Sequence, residues 1–592
     1  MKVLLIHPDD GLLDGPWAAC HWDRVIDLGR SGVEAYHRAA ACFGCTVTTL
    51  DSFRNDFQEM RRVRSLLEMG FRRVVDHCDL DWWELTSVFV NQQLEVLILL
   101  NELAKTLAPS DEVHVSRSGQ PAAALELILR SRVHVYPLQR RHGKGTARRY
   151  ARVVSRFPMR QLWEIFWDKA DPGYQFRGRF VARAKALKVP IVLLPTAYVN
   201  VSRTGVAYAR SVPQTQFLLV ATRPSGWLDE RPSNVSMAWL RSYASVGATG
   251  RQGERADLMA RWSALRTELE KVEEFRILVR IGGFGDFPER FTAGLEIRDA
   301  WRNVLDVQPV QAVICADDSN PYTNIPLLLA KQKGIPTIAC HHGALDGRYL
   351  FKRAHADVIL AKGDMEKDYL ERVCGVPKGK VQIGAPPPPT QTSPGTDRHA
   401  GAKSFIVFFS ETYETAGGRG RDFYLDVLPR LADLALAEGR KLVVKLHPFE
   451  SLAERRRIAI DILRPEQRQA VRVLAGALEP GLLEKAWFAV TILSTVTVEC
   501  AVRGIPCFLC RWLEFSPYGY VDQFSRFGLG LSLNRPEEIA GIPGKLAEHR
   551  ASSGVIGDFW QLIATPHLQS LLGLPNDQFE PQPASITREE IS

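Results

Sequence analysis

Short, almost wholly apolar runs, each too brief for a buried helix, recur along this chain between longer amphipathic stretches and restrict its fold more than any other feature. "KVLLIH" opens the series. It continues through "CTVTTLD", "EVHVSRS", "VHVYPL", "PIVLLP", "QFLLVAT", "RILVRIGG", "QAVICADD", "PTIACHHG", "DVILAKG" and "KVQIGAP", and resumes later with "SFIVFFS", "KLVVKLHP", "VRVLAG", "FAVTILS", "IPCFLC" and "LGLSL". Strands covered on both faces read as continuous apolar runs, and the helical stretches between them supply the crossovers that parallel pairing requires. The class expected is α/β with parallel sheets. No internal repeat is apparent.

A chain of 592 residues exceeds one core, since domains run to about 150 residues each. The clearest boundary is "GAPPPPTQTSPGTDRHAGAKS", Gly384 to Ser404, because successive prolines followed by small polar residues continue neither a sheet nor a helix. The expected division is an N-terminal α/β region over 1–384, subdivided near 140–190 and decorated with helices, then a Pro-rich linker over 385–403. A second Rossmann-like domain over 404–574 and a disordered polar tail over 575–592 follow.

Apolar residues at 45% and charged ones at 24% are the balance of a globular protein rather than a disordered or fibrous one. A formal charge of +8 over this length does not indicate nucleic acid as a partner. Local charge is more informative: "RRHGKGTARRYARVVSRFPMR", Arg140 to Arg160, has no acidic residue. Residues 140–160 are read as a seat for an anionic acceptor or for peripheral contact with an anionic membrane, against the plainer reading of a solvated helix face. "MKVLLIH" meets "PDDG" with no cleavage pattern, so the expected location is the cytoplasm, at most peripheral to the inner face of the membrane. "LEVLILLNELAKTLA" carries Glu95 and Glu102 and is too short to cross a bilayer. The ten cysteines form no framework. "CFLC" falls within a strand, where residues three apart point to opposite faces, so no metal site is expected from it.

Open parallel sheets bind ligands where strands end and loops enter helices. "KLVVKLHP" ends in His447 and Pro448, and a histidine there projects toward a cleft, although His-Pro also merely turns a chain. "FAVTILSTVTVECAVRGIPCF" runs from a strand into Ser494 and Thr495, good helix caps, with Glu499 one turn on. Hydroxyls beside unpaired backbone N–H groups suit a phosphate or diphosphate, and a carboxylate at Glu499 suits ribose hydroxyls. "FFSETYE" places Ser410 and Glu411 at the same cleft edge, and "TAGGRGRD" reads as a mobile loop whose Arg419 and Arg421 close over a phosphate. In the first half, Asp317, Asp318 and Asn320 follow one strand. His341, His342 and Gly343 follow the next, which is more histidine than a core needs.

Together "GIPTIACHHGALDG", "DVILAKGDMEKDYLERVCGVPKGKVQIGAP", "KLVVKLHP" and "STVTVECAVRGIPCF" resemble the two-domain GT-B glycosyltransferases of bacterial surface and capsular polysaccharide synthesis. The likeness is to Kdo- and sialyltransferase-like and CDP-glycerol glycerophosphotransferase-like proteins, across residues 312–533. It implies a metal-independent glycosyltransferase in which the C-terminal domain holds a CMP-, CDP- or UDP-linked sugar and the N-terminal region takes a glycan or lipid-linked acceptor, with no other cofactor. By the same resemblance His447, Pro448, Ser494 and Thr495 contact the nucleotide phosphate, Glu499 approaches the ribose, and His447 also serves as a catalytic candidate. A catalytic base facing the cleft from the first domain is sought among His342, Asp14 and Asp10. The alternatives on this fold are a polyol-phosphate transferase, a UDP-sugar 2-epimerase-like enzyme, or a non-catalytic nucleotide-sugar-binding protein.

Overall fold

The structure is a computed structural model. It describes the chain apart from 55–57, 88, 130–132, 137–183, 245–250, 388–403, 414–416, 514–518, 553–558, 575–592 and scattered positions within 319–355, 448–449 and 477–493. The basic stretch 140–160, most of the linker, Pro448 and the tail therefore lie outside the described residues.

The apolar runs build three parallel sheets. The first contains β1 (Lys2–Ile6), β2 (Arg24–Asp27), β3 (Val47–Thr49), β4 (Glu112–Val115) and β5 (Val133–Val135). The second contains β6 (Ile191–Thr196), β7 (Gln216–Ala221), β8 (Val235–Trp239), β9 (Val310–Cys315), β10 (Thr337–Cys340), β11 (Val358–Ala361) and β12 (Val381–Ile383). The third contains β13 (Phe405–Phe409), β14 (Lys441–Lys445), β15 (Val471–Leu474), β16 (Ala486–Thr491), β17 (Cys507–Cys510) and β18 (Leu531–Leu533). The seven- and six-stranded sheets are the two Rossmann-like domains, and the enlarged N-terminal half holds the five-stranded sheet.

All three sheets are wound alike. Their orders, β3-β2-β1-β4-β5, β8-β7-β6-β9-β10-β11-β12 and β15-β14-β13-β16-β17-β18, each reverse direction between the first strand and the fourth. That reversal opens a crevice at the carboxyl ends of the strands. In each sheet a polar bond bridges it. The Ser116 hydroxyl accepts from the His7 N–H at 2.8 Å, Tyr198 donates to Asp317 Oδ2 at 2.7 Å, and Thr491 donates to Glu411 Oε1 at 2.9 Å.

"RILVRIGG" is not a strand. Residues Glu273–Arg280 are helical, with Phe275, Ile277 and Leu278 buried while Arg276 and Arg280 are exposed. This burial follows a helix face rather than a sheet face. Conversely, "RVID" and "VSMAW" are the strands β2 and β8, too short and polar-edged to stand out as apolar runs. The run "LEVLILL" lies in the helix Asn91–Lys105, whose Leu94, Leu97, Leu99, Leu100 and Leu103 are core residues. No helix among the described residues is long and apolar enough to cross a membrane. All ten cysteines are free thiols.

The chain also returns on itself. Residues 559–574, grouped by sequence with the C-terminal domain, pack back against the second sheet: Ile563, Leu568 and Leu572 join its core, and Ala385 bridges Leu562. Leu568 on the helix Thr565–Leu571, with Ile563 before it and Leu572 at its C-cap, needs an apolar partner face, and the second sheet supplies it.

Arg419 does not sit in a mobile loop. Its five N–H groups are all used: Nε donates to Asp27 Oδ2 at 3.0 Å, Nη1 to the carbonyls of Pro8 at 3.0 Å and of Asp10, and Nη2 to the His7 carbonyl at 3.1 Å and to Asp27 Oδ1. It locks the first sheet to the third. Beside it, the helix Val33–Phe43 begins at Gly32, which has no side chain to cap it. Asp426 caps it instead, accepting from the N–H groups of Val33 at 2.6 Å and Glu34 at 2.9 Å. Gly32 is required by this approach, since a Cβ there would lie 2.2 Å from the Asp422 carbonyl oxygen. Arg421 is surface-exposed and paired with Asp461 at 3.0 Å.

Candidate functional site

Strand order decides which predicted residues meet. In the third sheet β14, β13 and β16 are adjacent, so His447, Ser410 with Glu411, and Ser494 with Thr495 leave three neighbouring carboxyl ends. At about 4.8 Å per strand the outer two are roughly 10 Å apart, a span that fits a ribose–diphosphate unit.

The loop after β14 is held by the carboxylate of Glu450. Glu450 Oε2 accepts from the His447 backbone N–H at 2.8 Å, and the Glu450 N–H donates to the His447 carbonyl at 3.0 Å. Glu450 Oε1 accepts from Ser410 at 2.8 Å and from Arg455 Nε at 2.8 Å. The Glu450 side chain is 1% exposed and Arg455 5%. Burial pushes the Glu450 carboxyl up, and the bonds from the His447 N–H, Ser410 and Arg455 pull it back. The His447 backbone is thus fixed, and the residue is half-buried. Burial holds this imidazole below its ordinary pKa, and the charges of Lys445 and His342 add to the effect.

Ser410 and Glu411 occupy the crevice itself. The Ser410 hydroxyl lies 2.5 Å from the Tyr424 hydroxyl as well as donating to Glu450, and Glu411 is bonded to Thr491. Both are buried. Thr495 is the cap position of the short helix Val496–Val502, and Ser494 Oγ accepts from the Val496 N–H at 3.4 Å. Glu499 is a third exposed, with Arg503 Nη1 at 3.9 Å. Burial raises its carboxyl, partly offset by the positive charges of Arg503 and Lys362.

The second sheet faces this row. The charge of His342 adds to the lowering of the His447 pKa, and that of Lys362, at the end of β11, offsets part of the rise at Glu499. Gln523 and Arg526 from the C-terminal domain fasten the contact, donating to Asp368 Oδ2 at 2.6 Å and 3.0 Å. The carboxyl ends of two sheets therefore enclose one cleft. At its second-sheet wall, Asp317 is fully buried, His341 is 4% exposed, and the two imidazoles stack with centroids 5.1 Å apart at 23°.

Asp14 and Asp10 belong to the first sheet. Asp14 is exposed on the β1–β2 connection, its carboxylate against Gly11, and Asp10 accepts from Ser116 Oγ at 2.7 Å. Of the candidate bases, His342 is the one whose charge acts on His447. Sequence reading missed Tyr198, Tyr424 and Lys362, whose only signal is their position just beyond a strand or on a helix packed over one. Glu450 had a signal, because an acid three residues after His447 reaches back to its N–H as a capping carboxylate does.

No family model matches the chain, and no curated protein matches it. Among solved structures, UDP-GlcNAc 2-epimerase from Neisseria meningitidis bound to UDP-GlcNAc is similar at 10% identity over 66% of this chain and 95% of that one, with a TM-score of 0.36. The calicheamicin glycosyltransferase CalG4 is similar at 15% identity over 65% and 93%, also with a TM-score of 0.36. A glycosyltransferase from Rickettsia africae is similar at 9% identity over 65% and 93%, with the same TM-score. Likeness at this level does not reach the chemistry of a site.

Proposed function

We propose that the chain is a GT-B-type glycosyltransferase that moves a sugar from a nucleotide-activated donor to a glycan or lipid-linked acceptor, as in surface polysaccharide synthesis. The observation that supports this best is the row of His447, Ser410 with Glu411, and Ser494 with Thr495 at three neighbouring carboxyl ends of the third Rossmann-like sheet. In this reading His447, Ser494 and Thr495 hold the donor diphosphate and Glu499 meets the ribose. Ser410 and Glu411 act on the donor through the loop they brace. His342 is the proposed base for the acceptor hydroxyl, with Asp14 the other candidate. A carboxylate or imidazole near neutrality is suited to take that proton as the glycosidic bond forms, while the bond from the anomeric carbon to the donor phosphate breaks and the nucleotide leaves.

The test is a panel of CMP-, CDP-, UDP- and GDP-sugars, read by thermal shift and by nucleotide release. Stabilisation by one base series and slow release of its nucleotide are expected. No stabilisation and no release with any member overturns the reading.

A second expectation comes from His447. Burial depresses its pKa, so the ring is neutral near pH 7; a bound phosphate favours the imidazolium and raises the pKa. Donor binding should take up a proton in that interval and tighten as pH falls from about 7.5 toward 6, around the ordinary imidazole value of ~6.5. Calorimetry in two buffers of different ionisation enthalpy measures the uptake. Zero uptake, or release, contradicts the role of His447 at the phosphate.

A further inference from the structure

We propose that Asp317, His341 and His342 form a binding site for a divalent transition metal of the Zn²⁺, Mn²⁺ or Fe²⁺ class, set in the second-sheet wall of the cleft. One ligand atom from each residue lies within 4.8 Å of the others. Two imidazoles and one carboxylate are a donor set these ions favour, and three protein ligands leave positions open for water or a substrate oxygen.

Neighbouring residues on a strand point to opposite faces and do not share an ion. Here the rule is lifted by where β10 stops. The strand ends at Cys340 and the chain bends at His342 and Gly343, so both rings turn to one side and stack. Asp317 comes from the adjacent strand β9, two residues beyond its end at Cys315.

The surroundings have the form of a second layer of ligands. His342 Nδ1 lies 3.1 Å from the Ala316 carbonyl, and His341 Nδ1 lies 2.8 Å from the Gly343 carbonyl. A proton on each Nδ1 satisfies these carbonyls and turns the Nε2 lone pair to the ion. His341 Nδ1 is also 3.2 Å from the Gly343 N–H, a longer contact that the opposite tautomer would use. Ligating histidines are held through the other ring nitrogen in this manner, which fixes both tautomer and orientation. Tyr198 donates to Asp317 Oδ2 at 2.7 Å and fixes the carboxylate likewise. Asp318 next door serves a different purpose, paired to Lys352 at 2.5 Å and to Tyr349 at 2.6 Å.

The site goes beyond the proposed transfer activity and reverses the expectation of metal independence. With the ion bound, the His342 ring is a ligand, and a metal-bound water occupies the place assigned above to the free imidazole as base.

The experiment uses the full chain, stripped with chelator and titrated with Co²⁺ and Zn²⁺ in the absence of any nucleotide. One ion per chain, visible Co²⁺ d–d absorption and proton release on binding are expected. Asp317→Asn and His342→Gln should each weaken the ion by at least about tenfold, and Tyr198→Phe, which only positions the carboxylate, by about tenfold or less. Circular dichroism of the metal-free variants checks their fold, and the wild-type spectrum decides the matter if a variant does not fold. Absence of Co²⁺ absorption and of saturable Zn²⁺ binding in the wild type overturns the site, as does undiminished binding in folded D317N and H342Q. Metal binding without any nucleotide-sugar response leaves the site standing and removes the donor reading alone.

Discussion

Arg419→Met should cost about 3–5 kcal/mol of stability, the range for removing one partner of a buried ion pair. Asp27 is fully buried and would keep only the Gly29 N–H at 2.9 Å and the distant Tyr36 hydroxyl at 3.4 Å, while the carbonyls of His7, Pro8 and Asp10 would lose their shared donor. The damage should be local before it is global. Amide exchange should rise first in residues 7–10 and 27–34, with the third sheet still protected. Adding Asp27→Asn should recover part of the loss, because the stranded charge is then gone, and a double-mutant cycle gives the coupling. A single variant as stable as wild type would mean that the first and third sheets are held by other contacts.

His447→Ala should weaken donor binding by roughly 10- to 100-fold, the equivalent of losing one charge-assisted hydrogen bond of ~1.5–3 kcal/mol. Transfer should fall further, by roughly 10²–10³, if the ring also stabilises charge on the leaving diphosphate. Stability should scarcely change. Glu450 Oε2 accepts from the His447 backbone N–H and the Glu450 N–H donates to the His447 carbonyl, neither using the ring, so an alanine keeps the loop's bonds. Equilibrium binding by calorimetry and single-turnover transfer separate the two effects. Unchanged donor affinity in a folded H447A protein would remove His447 from the phosphate site.

The strands most legible in the sequence are those buried on both faces. "PIVLLP" and "FAVTILS" each yield a fully buried strand, because nothing but apolar side chains suits that position. "RILVRIGG" shows the limit of the same rule. A short apolar run is ambiguous between a strand and one face of a helix, and burial of Phe275, Ile277 and Leu278 in the core, with Arg276 and Arg280 left exposed, decides for the helix. At the site, the strand-end positions of His342, His447 and Ser494 were readable from the places where apolar runs stop. Their relative order was not, since strand adjacency is a property of pairing.

The sequence by itself determined the α/β class and the strand ends that carry polar residues, because hydrophobic run length acts over a few residues. Only the tertiary structure decided the rest. Arg419 became a strut rather than a phosphate clamp because Asp27 lies 392 positions away. His341 and His342 came to share a face with Asp317 because β10 stops where the chain bends. Such contacts depend on which surfaces pack and how each sheet is wound, and no local pattern of residues encodes the distance between two chain segments that meet only on folding.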